Sequence, residues 1–318
     1  MNKKLKNISV IGCGRWGAFL SQYFVKHICE SVTLYGKSIF SDYQELLKTR
    51  KNQYLNLSDN TILVDNLEKI LESEIIVISI GCQNLRELCK EINQYNVSSK
   101  SFVLCMKGIE KITGRRLTEI VKEEITQDIK VAIFIGPGQV QDYLNDIPLC
   151  MLIDSDDENV KKELSEKFSS NVISVEVGND LVGNEIGAAT KNIMGIAAGM
   201  LDGINCSGLK GALIVKGIRE FANYIEKLGG KKESACGLAH LGDYEATLFS
   251  HYGHNRAFGE HFAKGEKFEK LAEGVDTLKA VHEIAKQKNI PMPICNVLYS
   301  ILFENSEVKK NLLSVFRS

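Results

Sequence analysis

The sequence is short of the features that would mark several large classes of protein. Four prolines and a single tryptophan occur in 318 residues. With no low-complexity tract, extended disordered stretches are not expected. No apolar run approaches the ~18–20 residues that cross a bilayer. The first residues, Met1 to Lys6, lead into a strand-like segment rather than a signal core. There is no excess of either charge: 39 Lys+Arg face 40 Asp+Glu, a formal net charge of -1. Nucleic acid and anionic membrane surfaces are therefore not expected partners on whole-chain electrostatics. The nine cysteines include no C-x-x-C pair, which argues against a disulfide framework or structural zinc and fits a reducing, cytoplasmic setting. His240, His251, His254 and His261 lie close together in sequence but lack the H-x-x-x-H spacing of helical zinc sites, so no metal is expected. What is present is ordinary globular material, 44% hydrophobic and 25% charged, at a length that suggests two domains.

The first half alternates. Short β-branched apolar runs recur at 7–11, 31–35, 75–80, 101–105 and 131–135, with amphipathic stretches such as 41–51 and 83–93 between them. Ser41 with Gln44 reads as a capping box opening the 41–51 helix. Strands apolar on both faces, separated by helical patterns, indicate a parallel sheet covered on each side. Runs at 148–153 and 171–177 finish that sheet around an acidic turn of Asp154, Asp156 and Asp157. Beyond about residue 178 strand signals vanish and Gly-linked helical patterns continue to the C-terminus. The expectation is an α/β chain: a doubly wound, Rossmann-type sheet over 1–178, then an all-α domain over 179–318.

The strand Ile8–Ile11 leads into Gly12-Cys13-Gly14-Arg15-Trp16-Gly17, and a helical run follows. G-x-G-x-x-G between a buried strand and a helix is the dinucleotide fingerprint. Gly12 permits the tight turn, Gly14 lets backbone N–H groups reach a pyrophosphate, and Gly17 lets helix and strand pack closely. Where NAD sites usually place an acid on the ribose, this chain has Tyr35-Gly36-Lys37-Ser38. A cation and a hydroxyl favour the 2′-phosphate of NADP(H), with NAD(H) the alternative if Lys37 is only a solvated surface lysine.

In the helical half, Gly183, Gly187, Lys191, Gly195 and Gly199 recur every four residues and form one ridge. Four helical glycines cost about 4 kcal/mol against alanine, so something must offset them. One reading is a groove that strips water from Lys191, lowers its pKa and makes it a general acid/base. The other is close helix packing with Lys191 reaching out to water. The ridge alone leaves both open.

Several motifs together resemble the NAD(P)-dependent glycerol-3-phosphate dehydrogenase family across essentially the whole chain. They are the glycine turn at 12–17; Met106-Lys107-Gly108-Ile109-Glu110; Gly136-Pro137; Asn184-Glu185-Ile186-Gly187-Ala188-Ala189-Thr190-Lys191-Asn192; Gly237-Leu238-Ala239-His240-Leu241-Gly242-Asp243; Asn255-Arg256-Ala257-Phe258-Gly259; and Glu273-Gly274-Val275. The resemblance implies hydride transfer between a nicotinamide and C2 of dihydroxyacetone phosphate or glycerol 3-phosphate. It implies Lys191 as the residue that gives or takes the C2-oxygen proton, Asp243 as its partner, and Lys107 as a second lysine touching substrate and cofactor. It further implies substrate contacts from Gly136, Gly138, Asn192, Thr247, His254, Asn255 and Arg256. Cofactor contacts would come from Arg15, Trp16, Val140 and Glu273, besides Gly12, Gly14, Gly17, Lys37 and Ser38. A homodimer is also implied.

Two places depart from the family pattern. Its Ser-Gly-Pro-Ser-Phe-Ala reads Ile135-Gly136-Pro137-Gly138-Gln139-Val140, and its Ser-Arg-Asn-Arg reads Gly253-His254-Asn255-Arg256. The permanent two-pronged guanidinium expected on the substrate phosphate is thereby a histidine, a weaker donor, with Arg256 or Lys210 as candidate replacements. The leading expectation is the family reaction. The same chemistry on another small 2-keto or 2-hydroxy substrate is the alternative, and a non-catalytic NADP(H) binder is a third.

Overall fold

The computed structural model describes residues 4–250 and 253–317. The chain divides into two compact units: residues 1–106 with 117–178, and residues 107–116 with 179–318. The sequence reading assigned 107–116 to the first unit. Those ten residues belong to the second because Ile109 joins its core and Arg116 pairs with Glu185 there.

The first unit runs β1 (Leu5–Ile11), α1 (Arg15–His27), β2 (Cys29–Tyr35), α2 (Ser41–Thr49), β3 (Thr61–Val64), α3 (Leu67–Ile70), β4 (Ile75–Ile78) and α4 (Leu85–Ile92). It continues with β5 (Ser101–Leu104), α5 (Leu117–Glu124), β6 (Lys130–Ile135), α6 (Val140–Leu144), β7 (Leu149–Asp154), α7 (Glu158–Phe168) and β8 (Ile173–Val177). These strands form one eight-stranded sheet, ordered β3-β2-β1-β4-β5-β6-β7-β8. Every pairing is parallel except β6 with β7, where Ile133 faces Asp154 and Ile135 faces Leu152. Ile8, Val10, Val77, Val103 and Phe134 are wholly buried, as expected for strands covered on both faces.

Three local expectations differ. β3 lay outside the sequence reading because it is an edge strand that buries only its ends, leaving Ile62 half exposed. The acidic turn proves to be a helix start: the Asp157 carboxylate accepts from the N–H groups of Asn159 (2.8 Å) and Val160 (3.2 Å), capping α7. The outer face of α7 is charged enough to hide the Val160, Leu164, Phe168 stripe that it buries. The capping box at Ser41 does not form: the N-cap is Phe40, and Gln44 donates instead to the Ser38 carbonyl at 2.8 Å.

The second unit is built around α8 (Leu181–Gly203), buried along nearly all of its 23 residues. Around it lie α9 (Lys210–Lys227), α10 (His254–Lys264), α11 (Glu273–Gln287), α12 (Pro293–Phe303) and α13 (Val308–Ser314). Asp180 caps α8 at Gly183 N and also accepts from Lys231 N (2.7 Å) and the Ser234 hydroxyl (2.5 Å). Among the described residues no helix is long and apolar enough to cross a membrane.

Candidate active site

The order of the sheet locates a candidate site in the first unit. β1 and β4 are neighbours, and chain order reverses between them. Open α/β sheets bind ligands at the carboxyl ends of strands at such a reversal. A cleft of about 440 Å³ lies there, lined by Gly12, Cys13, Gly14, Tyr35, Lys37 and Ser79 among others. Gly12 holds φ +111°, and a Cβ on it would strike the Ser79 carbonyl. A Cβ on Gly17 would strike the Gly12 carbonyl oxygen, whereas one on Gly14 would meet nothing within 4 Å. No side chain caps the N-terminus of α1, so its first N–H groups remain for a ligand. These features fit a dinucleotide.

At the cleft edge Lys37 Nζ lies 3.8 Å from Glu91 Oε1, both side chains about half exposed. The Ser38 hydroxyl donates to Asp65 Oδ2 at 2.5 Å. Ser38, Arg15, Trp16, Gly17 and Val140 are not part of the cleft wall. The Arg15 guanidinium bonds Gln141 and stands 5.0 Å over the Tyr54 ring. Trp16 packs on Phe19, and Val140 is a core residue opening α6. Gly136 has φ +148°. A Cβ on Gly138 would stand 2.8 Å from the Met151 sulfur and 3.2 Å from the Trp16 ring. A serine at 138 would therefore require the Met151, Trp16 and Leu149 side chains to shift.

The helical unit carries a cluster of its own. Asp243 Oδ2 accepts from Lys191 Nζ at 2.6 Å and from Lys107 Nζ at 2.5 Å. Lys191 Nζ also donates to Thr247 Oγ1 at 2.8 Å, and that hydroxyl donates to the Asp243 carbonyl at 2.7 Å. Asp243 and Lys191 are buried, while Lys107 keeps about a fifth of its side chain exposed. Burial pushes the Lys191 pKa down to about 7; Asp243 opposes the shift and Lys107 adds to it. The sequence reading that sent Lys191 out to water does not hold. Both offsets for the glycine ridge operate, along different stretches of α8. A Cβ on Gly187 would be 3.0 Å from His240 Cβ, and one on Gly195 would be 2.9 Å from the Thr247 methyl. These glycines admit the turn that carries Asp243 and the irregular π-turn Glu245–Phe249 that carries Thr247. Gly199 meets the Arg256 carbonyl of α10, and Gly259 on α10 meets the Ile196 carbonyl of α8, so here the ridge is backbone packing.

The other expected substrate residues are placed variously. Asn192 is buried beside Lys191 on α8, and Asn255 Oδ1 accepts from Gly274 N at 2.9 Å. His254 opens α10 with its side chain exposed. Arg256 is buried and committed: it donates to Asp202 (2.7 Å), Glu260 (3.0 Å) and the Ser250 carbonyl (3.0 Å). Lys210 donates to the same Asp202 (2.7 Å) and to the Leu248 carbonyl (3.0 Å). Both candidate replacements for the missing guanidinium thus hold the π-turn in place through Asp202, a residue with no sequence motif to announce it. Glu273 starts α11 in this second unit. His261 pairs with Glu266 at 2.9 Å, and His251 lies outside the described residues. Among the described residues no group of three or more His, Cys, Asp or Glu is arranged to hold a metal.

The descriptions of the NAD-dependent glycerol-3-phosphate dehydrogenase N-terminus and C-terminus match residues 7–161 and 180–312. Glycerol-3-phosphate dehydrogenase [NAD(P)+] of Clostridium tetani is 30% identical, covering 97% of this chain and 91% of that protein. The enzyme of the same name from Clostridium botulinum is 31% identical, covering 97% and 96%. Among solved structures, glycerol-3-phosphate dehydrogenase from Coxiella burnetii superposes with TM-score 0.90 at 24% identity over 99% of both chains. The yeast enzyme superposes with TM-score 0.82 at 20% identity, over 99% of this chain and all of that one. With both halves matched in order, the chain belongs to the NAD(P)-dependent glycerol-3-phosphate dehydrogenase family.

Proposed function

We propose that the protein interconverts dihydroxyacetone phosphate and glycerol 3-phosphate with a nicotinamide dinucleotide, Lys191 moving the proton. The observation that carries this reading is a buried ammonium with its pKa brought down to about 7, clasped by one carboxylate and one hydroxyl. Gly12, Gly14 and the uncapped start of α1 would hold the dinucleotide, which would supply or accept the hydride when bound. In the reducing direction Lys191 Nζ–H⁺ donates to the C2 oxygen; in the oxidising direction the neutral amine accepts that proton. Asp243 orients Lys191 and balances the cluster's charge. Lys107, the most exposed of the three, stabilises the developing alkoxide, a kind of contact typically worth ~3 kcal/mol of barrier. Thr247 fixes the remaining Lys191 hydrogen, and Asn192 and Asn255 supply polar contacts to the substrate.

For the cofactor we infer a preference for NADP(H), small in size. Lys37 is a cation at the cleft edge, and its ion pair with Glu91 is long, half exposed and cheap to break. The nearby carboxylates of Asp42, Glu87 and Glu91 limit the preference. The family resemblance supports a homodimer, and nine free cysteines support a reducing cytoplasm.

The test is turnover of dihydroxyacetone phosphate with NADPH and NADH, read as loss of reduced-nicotinamide absorbance across pH. Reduction needs Lys191 protonated, so its kcat/KM should fall as pH rises through about 7. Oxidation needs the neutral amine and should rise over the same window. Lys191→Met should cost about 10²- to 10⁴-fold in kcat and leave nucleotide binding intact. No turnover with either nucleotide overturns the reading.

A further inference from the structure

His240 is a fully buried histidine that the reaction itself does not use. Its Nδ1 lies 2.8 Å from the Gly187 carbonyl, and its Nε2 lies 2.7 Å from the Tyr244 hydroxyl. A carbonyl can only accept, so Nδ1 carries the hydrogen. Nε2 is then the lone-pair nitrogen, and Tyr244 O–H donates to it. Burial drives the His240 pKa down to about 4; the Gly187 bond and Asp243 oppose this, while Lys191 adds to it. The ring is neutral at working pH. Phe221 of α9 packs edge-on at 5.4 Å, and Thr190 Oγ1 of α8 is 3.4 Å from Nδ1. The charged groups acting on the ring are therefore Lys191 of α8 and Asp243 of its own turn.

The site of attachment matters. Gly187 is one helical turn before Lys191, and in an α-helix its carbonyl also receives the backbone N–H of Lys191. On the other side, the His240 carbonyl accepts from Asp243 N at 3.1 Å. One imidazole thus ties the turn that carries the carboxylate to the helical turn that carries the amine. A Cβ on Gly187 would press on His240 Cβ, so this ridge position is shaped to receive it. We propose that His240 and Tyr244 are positioning residues for the reaction: the ring holds Asp243 in register with Lys191, and the phenol holds the ring in its working tautomer. Neither residue touches substrate.

The inference rests on the role given to Lys191 above, so its test includes a reading that needs no substrate. In the full-length protein, Lys191 is titrated by NMR of Nζ-labelled lysine, and kcat, KM and pH profile are measured alongside. His240→Leu fills the space but breaks both bonds. The turn is then untied from α8, and because Asp243 holds the Lys191 pKa up against burial, losing that register should lower the titration by at least about half a unit, on a scale of about 1.4 kcal/mol per unit. kcat should fall at least tenfold with little change in KM. His240→Gln, whose amide can both donate to Gly187 and accept from Tyr244, should restore most of both, and Tyr244→Phe should fall between. If His240→Leu lowers only the melting temperature, with the Lys191 titration and kcat at wild-type values, the proposal is overturned. A shifted titration in a protein that turns over nothing keeps the positioning role and removes the reaction.

Discussion

The two units use glycine for different ends, and the contrast separates ligand binding from packing. In the turn after β1, Gly12 and Gly17 are needed by the fold itself, since a Cβ on either meets a carbonyl oxygen. Gly14 is different: φ is -67°, the space is open, and nothing in the protein alone requires glycine there. Along α8 every ridge glycine is filled by a neighbour: the Asp180 and Ser234 side chains at Gly183, irregular turns at Gly187 and Gly195, and α10 at Gly199. Glycine in the first unit serves a ligand as well as the fold; along α8 it serves the close approach of neighbouring segments and the seating of one lysine.

That contrast can be broken most strongly at Gly199. Gly199→Ala forces a methyl against the Arg256 carbonyl and should cost about 1–3 kcal/mol, as overpacking of a core does, read as a lower denaturation midpoint with nucleotide affinity unchanged. Next comes the pair Gly12→Ala and Gly14→Ala. The first should destabilise the protein because of its positive φ and the Ser79 contact. The second should leave thermal stability at the wild-type value yet weaken nucleotide binding about tenfold, roughly 1.4 kcal/mol. Equal stability losses in the two would erase the distinction. Smallest is Lys37→Ala, expected to raise the dissociation constant for NADPH a few-fold, on the scale of an exposed charge contact, without affecting NADH; titration calorimetry with both nucleotides decides it.

Much of the sheet was legible because buried parallel strands are apolar on both faces, and 7–11 or 131–135 can hardly be read otherwise. β3 escaped because an edge strand buries little, and α7 escaped because Lys161, Lys162, Glu163, Glu166 and Lys167 mask its apolar stripe. The spacing of Gly187, Lys191 and Gly195 showed that something must sit close to α8. It could not show what, because His240, Asp243 and Thr247 arrive from over fifty residues away. Asp202 and Glu220 were invisible for the same reason. Glu220 caps α12 by accepting from Ile294 N (2.7 Å) and Cys295 N (3.0 Å), and no local pattern announces a cap supplied from another helix. Arg256 and Lys210 stood out in sequence as candidate replacements for the missing guanidinium, and nothing local announced that their side chains bond Asp202 and the carbonyls of 248 and 250.

The excursion of residues 107–116 into the helical unit has a bearing on how the chain is made. Lys107, Ile109 and Arg116 leave the ribosome long before Glu185, Lys191 and Asp243 exist. A short stretch therefore waits, its carboxylate partners unsynthesised, until the C-terminal third emerges. Cutting the gene at residue 178 would part the helical half from a piece of its own core and from one of its three clustered charges. The two halves are separable on paper, but the helical one needs a stretch of sequence that is made with the other.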